Sequence, residues 1–587
     1  MYAFYQKHEY LIISLLLAFS FVFPILPWDG LYRDTDNFIH AWRVYDLMTQ
    51  HHWGELLLEK SNYPFGEVIH YTRLMDVIWL ILTLPFLPFL PLKQAVFDAG
   101  LVFQPFCMVI TACAMIWAMR PYVKPVLRLL AVFYFFAQDI IAQLCVFGRP
   151  DHHMLVAFFS FLILGNLWRC LNEDDIVCSK AAGFFSGILL WNSVEGLLIS
   201  YSLLAPLLLL WIWDGRYFET CKRFALYYFI TAAACFIINP PYEGYFHADN
   251  GRLSISTVAI VGLTYLSLVC TDYINRNHPL KTRLNKAAVL GATALTSIGL
   301  ILLVFGKVAV FGNPFVPAIK AWYSSVAELR PAIQNAVLFR MFALNATISV
   351  ILLIGWFHPK NKEFLLLTGI PLLFTTGLTY SAIRFSQHSS VFLIFPVIYV
   401  IDALYEHYGA SFFANKPLWA GVAVVVILGA GGVYIERLQC DTLINIQSGI
   451  QYDSKPFLPY LSPKEGAVLA RVFDGSEIIW TTERPVISTP NHRNIDGIVD
   501  TYDIFFGNDM AEVVRLLKKR HITTILMPQP VERLDYLVPP RPDDFAIRLL
   551  NGNGIPCGVR LAKNVPEHIL RNSLVYHVDF EGCPDID

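Results

Sequence analysis

The chain has 587 residues, of which 56% are hydrophobic and only 15% charged, with a formal net charge of -2 at pH 7. A soluble protein of this length carries a much wetter composition, so the balance excludes an ordinary soluble enzyme. The near-equality of acidic and basic residues and the lack of a basic array give no sign of a nucleic-acid partner.

Apolar runs of roughly 16–22 residues recur through the first 435 residues, the length a helix needs to cross a bilayer. They predict a polytopic helical membrane protein with spans near 11–27, 96–118, 126–146, 152–168, 181–197, 200–213, 225–240, 255–271, 288–305, 341–356, 364–380, 387–403 and 418–435. The run from Leu11 to Trp28 lacks a small-residue cleavage site, so it reads as a retained span rather than a signal peptide. The stretch 74–92 is different. It contains "LPFLPFLPL", whose prolines each remove a backbone donor.

Basic residues decide the orientation. Loops with Arg120, Lys124 and Arg128; Arg169 and Lys180; Arg216, Lys222 and Arg223; Arg276, Lys281, Arg283 and Lys286; and Lys360 and Lys362 are expected on the cytoplasmic side. They alternate only if 74–92 does not cross, which leaves about thirteen spans with the amino end inside and the carboxyl end outside. Four polar segments then share the outer face: the loop 28–95, the turn around "FGRPDHH", the loop "NPPYEGYFHADNG" and the loop 306–340. Charge beside lipid is expensive, so such a convergence is a functional signal.

Beyond residue 435 the composition becomes mixed, and 436–587 reads as one small soluble α/β domain behind a membrane domain of 1–435. "SEIIWTT" and "HITTILM" are predicted strands. "GNDMAEVVRLLKKR" is the helix between them, capped by Asn508 or Asp509, with Val513, Leu516 and Leu517 as its buried stripe. The cysteines show no zinc spacing, and Cys107, Cys113, Cys235 and Cys270 read as packing residues in apolar runs. Cys557 and Cys583 are either a disulfide outside the cytoplasm or two buried thiols.

Residues suited to chemistry fall in the outer segments. "LYRDTDNFIHAWRVYDL", from Leu31 to Leu47, offers Asp34 and Asp36, then His40 and Arg43 at helical spacing. "FGRPDHHML" places Asp151 and His153 two apart at the start of a span, with His152 between them. A carboxylate and an imidazole from one loop, with Asp36 from another, suit a divalent ion. Mn or Mg fits if oxygens dominate, and Zn through the histidine. The plainer alternatives are a solvated or capping Asp151 and an interfacial His153. In "YPFGEVIHYTRLMD", His70 is a further candidate ligand, Arg73 either pairs with Asp76 or holds an anion, and Glu67 reads as a solvated carboxylate. "AWYSSVAELRP" carries Glu328 beside Arg330, either an acceptor-facing or a solvent-facing group. Arg384, in "SAIRFSQHSSVFLIFP", has no acidic neighbour in sequence. It calls for a buried carboxylate or an anion such as phosphate, unless it snorkels to the surface.

Taken in order, these motifs resemble the oligosaccharyltransferase catalytic subunits, lipid-linked-sugar glycosyltransferases of the GT-C superfamily. The resemblance covers about the first 435 residues. It implies that Asp36 is the metal- and acceptor-binding aspartate of the first outer loop. By the same likeness "DHH" holds the metal through Asp151 and His153, and His70 adds a ligand. "SVAE" at 325–328 supplies Glu328 to the acceptor or the metal, and Arg384 grips the donor phosphates. The departure lies in the carboxyl domain, which lacks the family's Trp-Trp-Asp motif. The nearest stretch, "EIIWTTERPVISTPNHRN", offers Trp480, Glu483, Arg484, His492 and Arg493 instead, either as a different acceptor-recognition surface or as a solvated loop.

The expected activity is metal-dependent transfer of a sugar from a polyprenyl phosphate or pyrophosphate donor to a protein, lipid or glycan acceptor. Asp36, Glu328 and Arg384 would be the catalytic residues, with inversion at the sugar carbon. The expected setting is the cell inner (plasma) membrane, in contact with membrane lipid, with the carboxyl domain periplasmic or extracytoplasmic. The alternative is a transporter or flippase of an isoprenoid-linked sugar, which would want mid-membrane charges and two related halves.

Overall fold

A computed structural model describes residues 7–17, 32–54, 57–173, 175–307, 322, 326, 329–331, 362–399, 455–531, 534, 540–571 and 573–584. The chain begins with helix α1 (7–17), followed by α2 (Asp36–Gln50), α3 (Leu74–Thr83), α4 (Leu92–Met119), α5 (Pro125–Ala137) and α6 (Asp139–Leu144). Then come α7 (His153–Glu173), α8 (Ile176–Asn192), α9 (Glu195–Asp214), α10 (Phe218–Ile238), α11 (Ile255–Asn277), α12 (Arg283–Phe305), α13 (Lys362–Thr379) and α14 (386–399). Among the described residues α4, α7, α9, α10, α11 and α12 are long and apolar enough to cross a membrane. The expected spans 341–356 and 418–435, most of 11–27, and the boundary at 435–436 lie outside the described residues.

Local chemistry sets the helix ends. α8 stops where Ser193 turns extended (φ −155°, ψ 140°), and α9 restarts at Glu195. The expected break between 197 and 200 therefore moves to Ser193–Val194, and the short span 200–213 becomes a 20-residue helix. Gly196 permits the tight restart, since a Cβ there would lie 2.8 Å from the Leu190 nitrogen. The expected span 126–146 is likewise divided, because extended Gln138 separates α5 from α6. The stretch 74–92 forms no single long helix. α3 has 10 residues and runs into a 3₁₀ turn at Leu84–Phe86 that takes Pro85 in its first turn. Its rise of about 15 Å is half a bilayer core.

Helices α8 and α10 pack backbone to backbone. Gly183 and Gly187, four residues apart on α8, leave room for α10: a Cβ on the first would lie 2.3 Å from the Phe224 carbonyl, and on the second 2.5 Å from Thr231. Small residues at this spacing are how apolar helices approach closely in lipid. Trp168 of α7 stacks on Phe364 of α13 (4.3 Å edge-on to Phe395 of α14, 5.0 Å to Phe364) and draws three helices together. Of the cysteines read as packing residues, Cys107 and Cys235 are buried and Cys113 is partly so, whereas Cys270 is exposed.

Short turns make neighbouring helices antiparallel, so their ends alternate. One end carries Arg128 with Glu9, Arg216 with Asp214 and Glu363, and Lys222 with Asp272. The opposite end gathers the starts of α2, α7, α9 and α11, and it receives the C-terminal α/β unit.

That unit spans the described residues from 455 onward and is built on a four-stranded sheet ordered β3-β4-β6-β5. A two-residue-per-strand hairpin, β1 (Leu57–Leu58) and β2 (Glu67–Val68), precedes it in the chain. β3 (Ala467–Leu469) runs parallel to β4 (Ile522–Pro528), while β5 (Val559–Leu561) and β6 (Ser573–Val578) pair antiparallel with each other and β6 with β4. The crossover from β3 to β4 carries α15 (Gly475–Thr482), α16 (Ile495–Phe505) and α17 (Met510–Lys519). "HITTILM" is strand β4 as expected, and Asp509 caps α17 above buried Val513, Leu516 and Leu517. "SEIIWTT" is helix α15, not a strand. Ile478, Ile479 and Trp480 are all buried there, and the Thr481 and Thr482 hydroxyls fold back onto the Glu477 and Ile478 carbonyls. A short apolar run of this kind has no periodicity to separate strand from helix. Cys557 and Cys583 form a disulfide, with Cα atoms 5.8 Å apart.

Candidate active site

The site grows from two turns locked together. The Arg33 amide donates to the Gly148 carbonyl at 2.8 Å, and Arg149 pairs with Asp34 at 3.0 Å. The buried Asn37 side chain reaches the Gly148 carbonyl at 3.4 Å, and with its amide turned over reaches the Pro150 carbonyl at 2.7 Å. Asp34 is thus committed to Arg149. Asp36, the first residue of α2, is held beside the turn that leads into α7.

That turn carries a compact ligand set. Asp151 Oδ1 lies 2.8 Å from His152 Nδ1, and Asp151 Oδ2 lies 3.5 Å from His153 Nε2. Ligand atoms of Asp151, His152 and His153 all fall within 4.8 Å of one another. Burial opposes ionisation of Asp151, but His153, His152 and Arg149 outweigh it and hold the carboxyl well below its usual range. One carboxylate and two imidazoles at this spacing fit a divalent ion, and the nitrogen-rich set suits Zn better than Mn or Mg. His152 was not foreseen as a ligand, because alternate residues of "DHH" drew attention to its neighbours. Asp36 and His70 stand outside this tight cluster. His70 borders it through Tyr71, whose ring centroid is 4.2 Å from His70 and 6.0 Å from His152.

Behind the cluster lies a carboxylate that the sequence reading passed over. Glu195, 6% exposed at the start of α9, accepts Arg384 at 2.6 Å and faces His388 Nε2 at 2.8 Å and Gln387 at 3.3 Å. Arg384 therefore has its buried carboxylate, from a different helix, while keeping about a quarter of its side chain exposed (28%). The signal was available: a lone glutamate inside an apolar stretch is expensive unless it is used.

Around this centre, Arg43 and Arg73 both hold Asp76, at 2.7 and 3.0 Å, and Arg43 also donates to the Tyr71 and Thr72 carbonyls. Arg73 thus pairs with Asp76, the first of its two expected roles. His40 lies buried against Tyr71, with ring centroids 4.6 Å apart. Glu67 is not solvated as expected. It is 2% exposed and accepts hydrogen bonds from Ser61, Thr489 (2.6 Å), Asn491 (2.5 Å) and Asn494 (3.2 Å). Burial raises its pKa even against those donors.

Most of the polar groups expected at an acceptor surface instead join the two parts of the chain. Trp480 packs under Tyr45 and Phe97, Glu483 pairs with Lys93 at 2.7 Å, and Arg493 grips both oxygens of Asp249 at 2.7 Å. Arg484 donates to the Ser462 and Lys464 carbonyls within its own unit. His492 alone faces His70. Glu328 lies outside the described residues, but its flanks are placed. Trp322 and Val326 pack with Val472 and Ile498, and the Ile383 amide next to Arg384 bonds to the Arg330 carbonyl at 3.0 Å.

No protein-family model matches the chain, and no curated protein does. Solved structures do match. The archaeal oligosaccharyltransferase AglB from Archaeoglobus fulgidus, in complex with an inhibitory peptide and a dolichol-phosphate, superposes with a TM-score of 0.65 and 15% identity over 89% of this chain and 69% of that one. The same organism's oligosaccharyltransferase tethered to an acceptor peptide with an NVT sequon gives 0.63 at 14% identity, covering 90% and 70%. Its complex with Zn and sulfate gives 0.61 at 15%, covering 92% and 70%. The long apolar helices among the described residues mark a multi-pass membrane protein, and the matches define its fold. The particular likeness is to the archaeal oligosaccharyltransferase, and at this identity it is a likeness of fold.

Proposed function

We propose that the chain transfers a sugar or oligosaccharide from a polyprenyl phosphate or pyrophosphate donor to a peptide, glycan or lipid nucleophile. The observation that carries this reading is the Glu195–Arg384 pair, close enough for its charge to act on His152 and His153 of the ligand cluster, at one end of a bundle with the oligosaccharyltransferase fold. The related structures holding dolichol-phosphate, an acceptor peptide and Zn support a phosphate-bearing lipid donor, a peptide-like acceptor and a metal centre. In this reading the site end faces away from the cytoplasm, the arginine-rich end faces it, and about thirteen spans cross the inner membrane.

Asp151, His152 and His153 would hold the ion, with Asp36 and His70 at its margin. When bound, the ion supplies positive charge to the departing phosphate. Arg384 is set to neutralise the same developing charge, and Glu195 fixes the direction of its guanidinium. Asp36 positions the acceptor nucleophile and takes its proton as the nucleophile–carbon bond forms and the carbon–phosphate oxygen bond breaks. Glu328 orients the acceptor. Direct displacement inverts the sugar carbon. The charged groups of the candidate site gather at one end of the bundle, and a transporter would want them at mid-membrane, which favours transfer over transport.

Two experiments test this. Asp151→Ala is expected to insert and fold normally while abolishing transfer, and a fully active variant would remove the metal assignment. Chelation of wild-type protein should stop transfer, with recovery on adding Zn or Mn; activity indifferent to chelator contradicts metal dependence.

A further inference from the structure

A small cavity borders the ligand cluster, lined by residues of α6, α7 and α14 and just large enough for one water molecule. The break at Gln138 helps to shape it. The Gln138 amide nitrogen donates to the Ser390 carbonyl at 3.3 Å, which ties the restart of α6 to α14. Most of the lining is apolar, but three buried polar side chains interrupt it: His153 of α7, and Gln387 and His388 of α14.

These groups are unequally satisfied. Gln387 gives its amide nitrogen to Glu195 at 3.3 Å, and His388 Nε2 meets the same carboxylate oxygen at 2.8 Å. That leaves Gln387 its Oε1 as an acceptor. His153 Nε2 is turned to Asp151 Oδ2 at 3.5 Å, on the side of the ligand cluster. Its other ring nitrogen, Nδ1, is buried and has no hydrogen-bond partner among the described residues. An imidazole that binds an ion through Nε2 carries its proton on Nδ1. Metal-bound histidines give that proton to an acceptor, which fixes the angle of the ring. A buried N–H left unbonded is costly, and a polar cavity of this size beside it is where a water can accept it. A buried water needs several polar partners, and this cavity offers three side chains that carry them.

We propose that the cavity binds one water that accepts the His153 Nδ1–H and donates to Gln387 Oε1, so that Glu195, through Gln387, holds the His153 ring in line with the ion. Gln387 is then a positioning residue for the metal centre, acting through His153. This rests on the reading of Asp151, His152 and His153 as a metal centre, and it extends that centre to α14, which carries none of its ligands.

The test is metal affinity of the full-length protein in detergent, for Zn by competition with a chromophoric chelator and for Co(II) by its visible absorption bands. Thermal unfolding of the metal-free protein is measured alongside. Gln387→Met removes the accepting oxygen at nearly constant volume. It should weaken Zn binding about 10- to 100-fold, the usual effect of losing an outer partner of a metal ligand, and shift the Co(II) bands. Ala157→Val changes no polar group and fills the cavity from α7, so it should displace the water and weaken Zn binding by about tenfold. Unchanged Zn affinity and Co(II) bands in both variants overturn the proposal, even if the metal-free protein melts earlier, since that is the mark of packing alone. A loss in only one variant also overturns it. With Gln387→Met alone the effect runs through Glu195 without a water, and with Ala157→Val alone it is steric. Asp151→Ala sets the reference: Co(II) bands that survive it put the ion elsewhere and overturn the metal reading itself.

Discussion

At the scale of single residues, the account turns on Glu195 and Glu67. Neither role was legible in the sequence, because each depends on partners more than 180 positions away. Glu195 lies in "NSVEGLL", where a helix restarts between two apolar runs, and only the packed bundle brings Arg384, Gln387 and His388 to it. Leaving Arg384 without its carboxylate should misdirect the guanidinium. Glu195→Gln is expected to lower kcat/KM for the donor by about 10- to 100-fold. Because both residues act through one contact, adding Arg384→Ala to Glu195→Gln should cost little more than Arg384→Ala alone, and a double-mutant cycle measures this. Full additivity would separate the two. Glu67 sits in a loop rich in turn formers, which is why it reads as solvated, yet the donors that bury it come from Thr489, Asn491 and Asn494. Truncation strands those donors, so Glu67→Ala should destabilise the docked C-terminal unit by about 2–4 kcal/mol, seen as a lowered melting midpoint and faster proteolysis near 455–465.

At the scale of elements, the long apolar helices were legible because a helix that meets lipid on one side and its neighbours on the other stays apolar all round. Their ends were less so. The Ser193–Val194 turn and the break at Gln138 are decided by a few backbone angles, which hydropathy does not register. Helix α17 could be read in full because its stripe and its Asp509 cap are both local signals, whereas α15 looked like a strand until its threonines were seen bonding back along a helix. The α8–α10 contact depends on two glycines that carry no side chain to announce them. Gly187→Leu should force Thr231 away and destabilise the bundle by about 1–3 kcal/mol, measurable as a lower midpoint of thermal unfolding in detergent. An unchanged midpoint would mean the helices do not approach as described.

At the scale of the whole molecule, the bundle end and the C-terminal unit are one construction. The Lys60 carbonyl accepts the Val486 amide at 2.8 Å, Arg520 reaches the Asn62 side chain at 2.8 Å, and Arg493 crosses to Asp249. The motifs Asp36, "DHH" and Arg384 were legible as separate chemistry, and the expectation that they share one face came from charge alternation alone. Their joining through the C-terminal unit was not legible, since Trp480, Glu483 and Arg493 look alike in sequence whether they greet an acceptor or hold two parts of a chain together. The central claim is sugar transfer from a lipid-linked donor through the Asp151 cluster. It is tested most directly by mass spectrometry of membrane lipids, surface glycans and glycosylated proteins from cells making wild-type or Asp151→Ala protein at equal membrane levels. The account predicts that the variant cells accumulate a polyprenyl-linked sugar and lose one glycan. Identical lipid and glycan profiles in the two cell lines would contradict it.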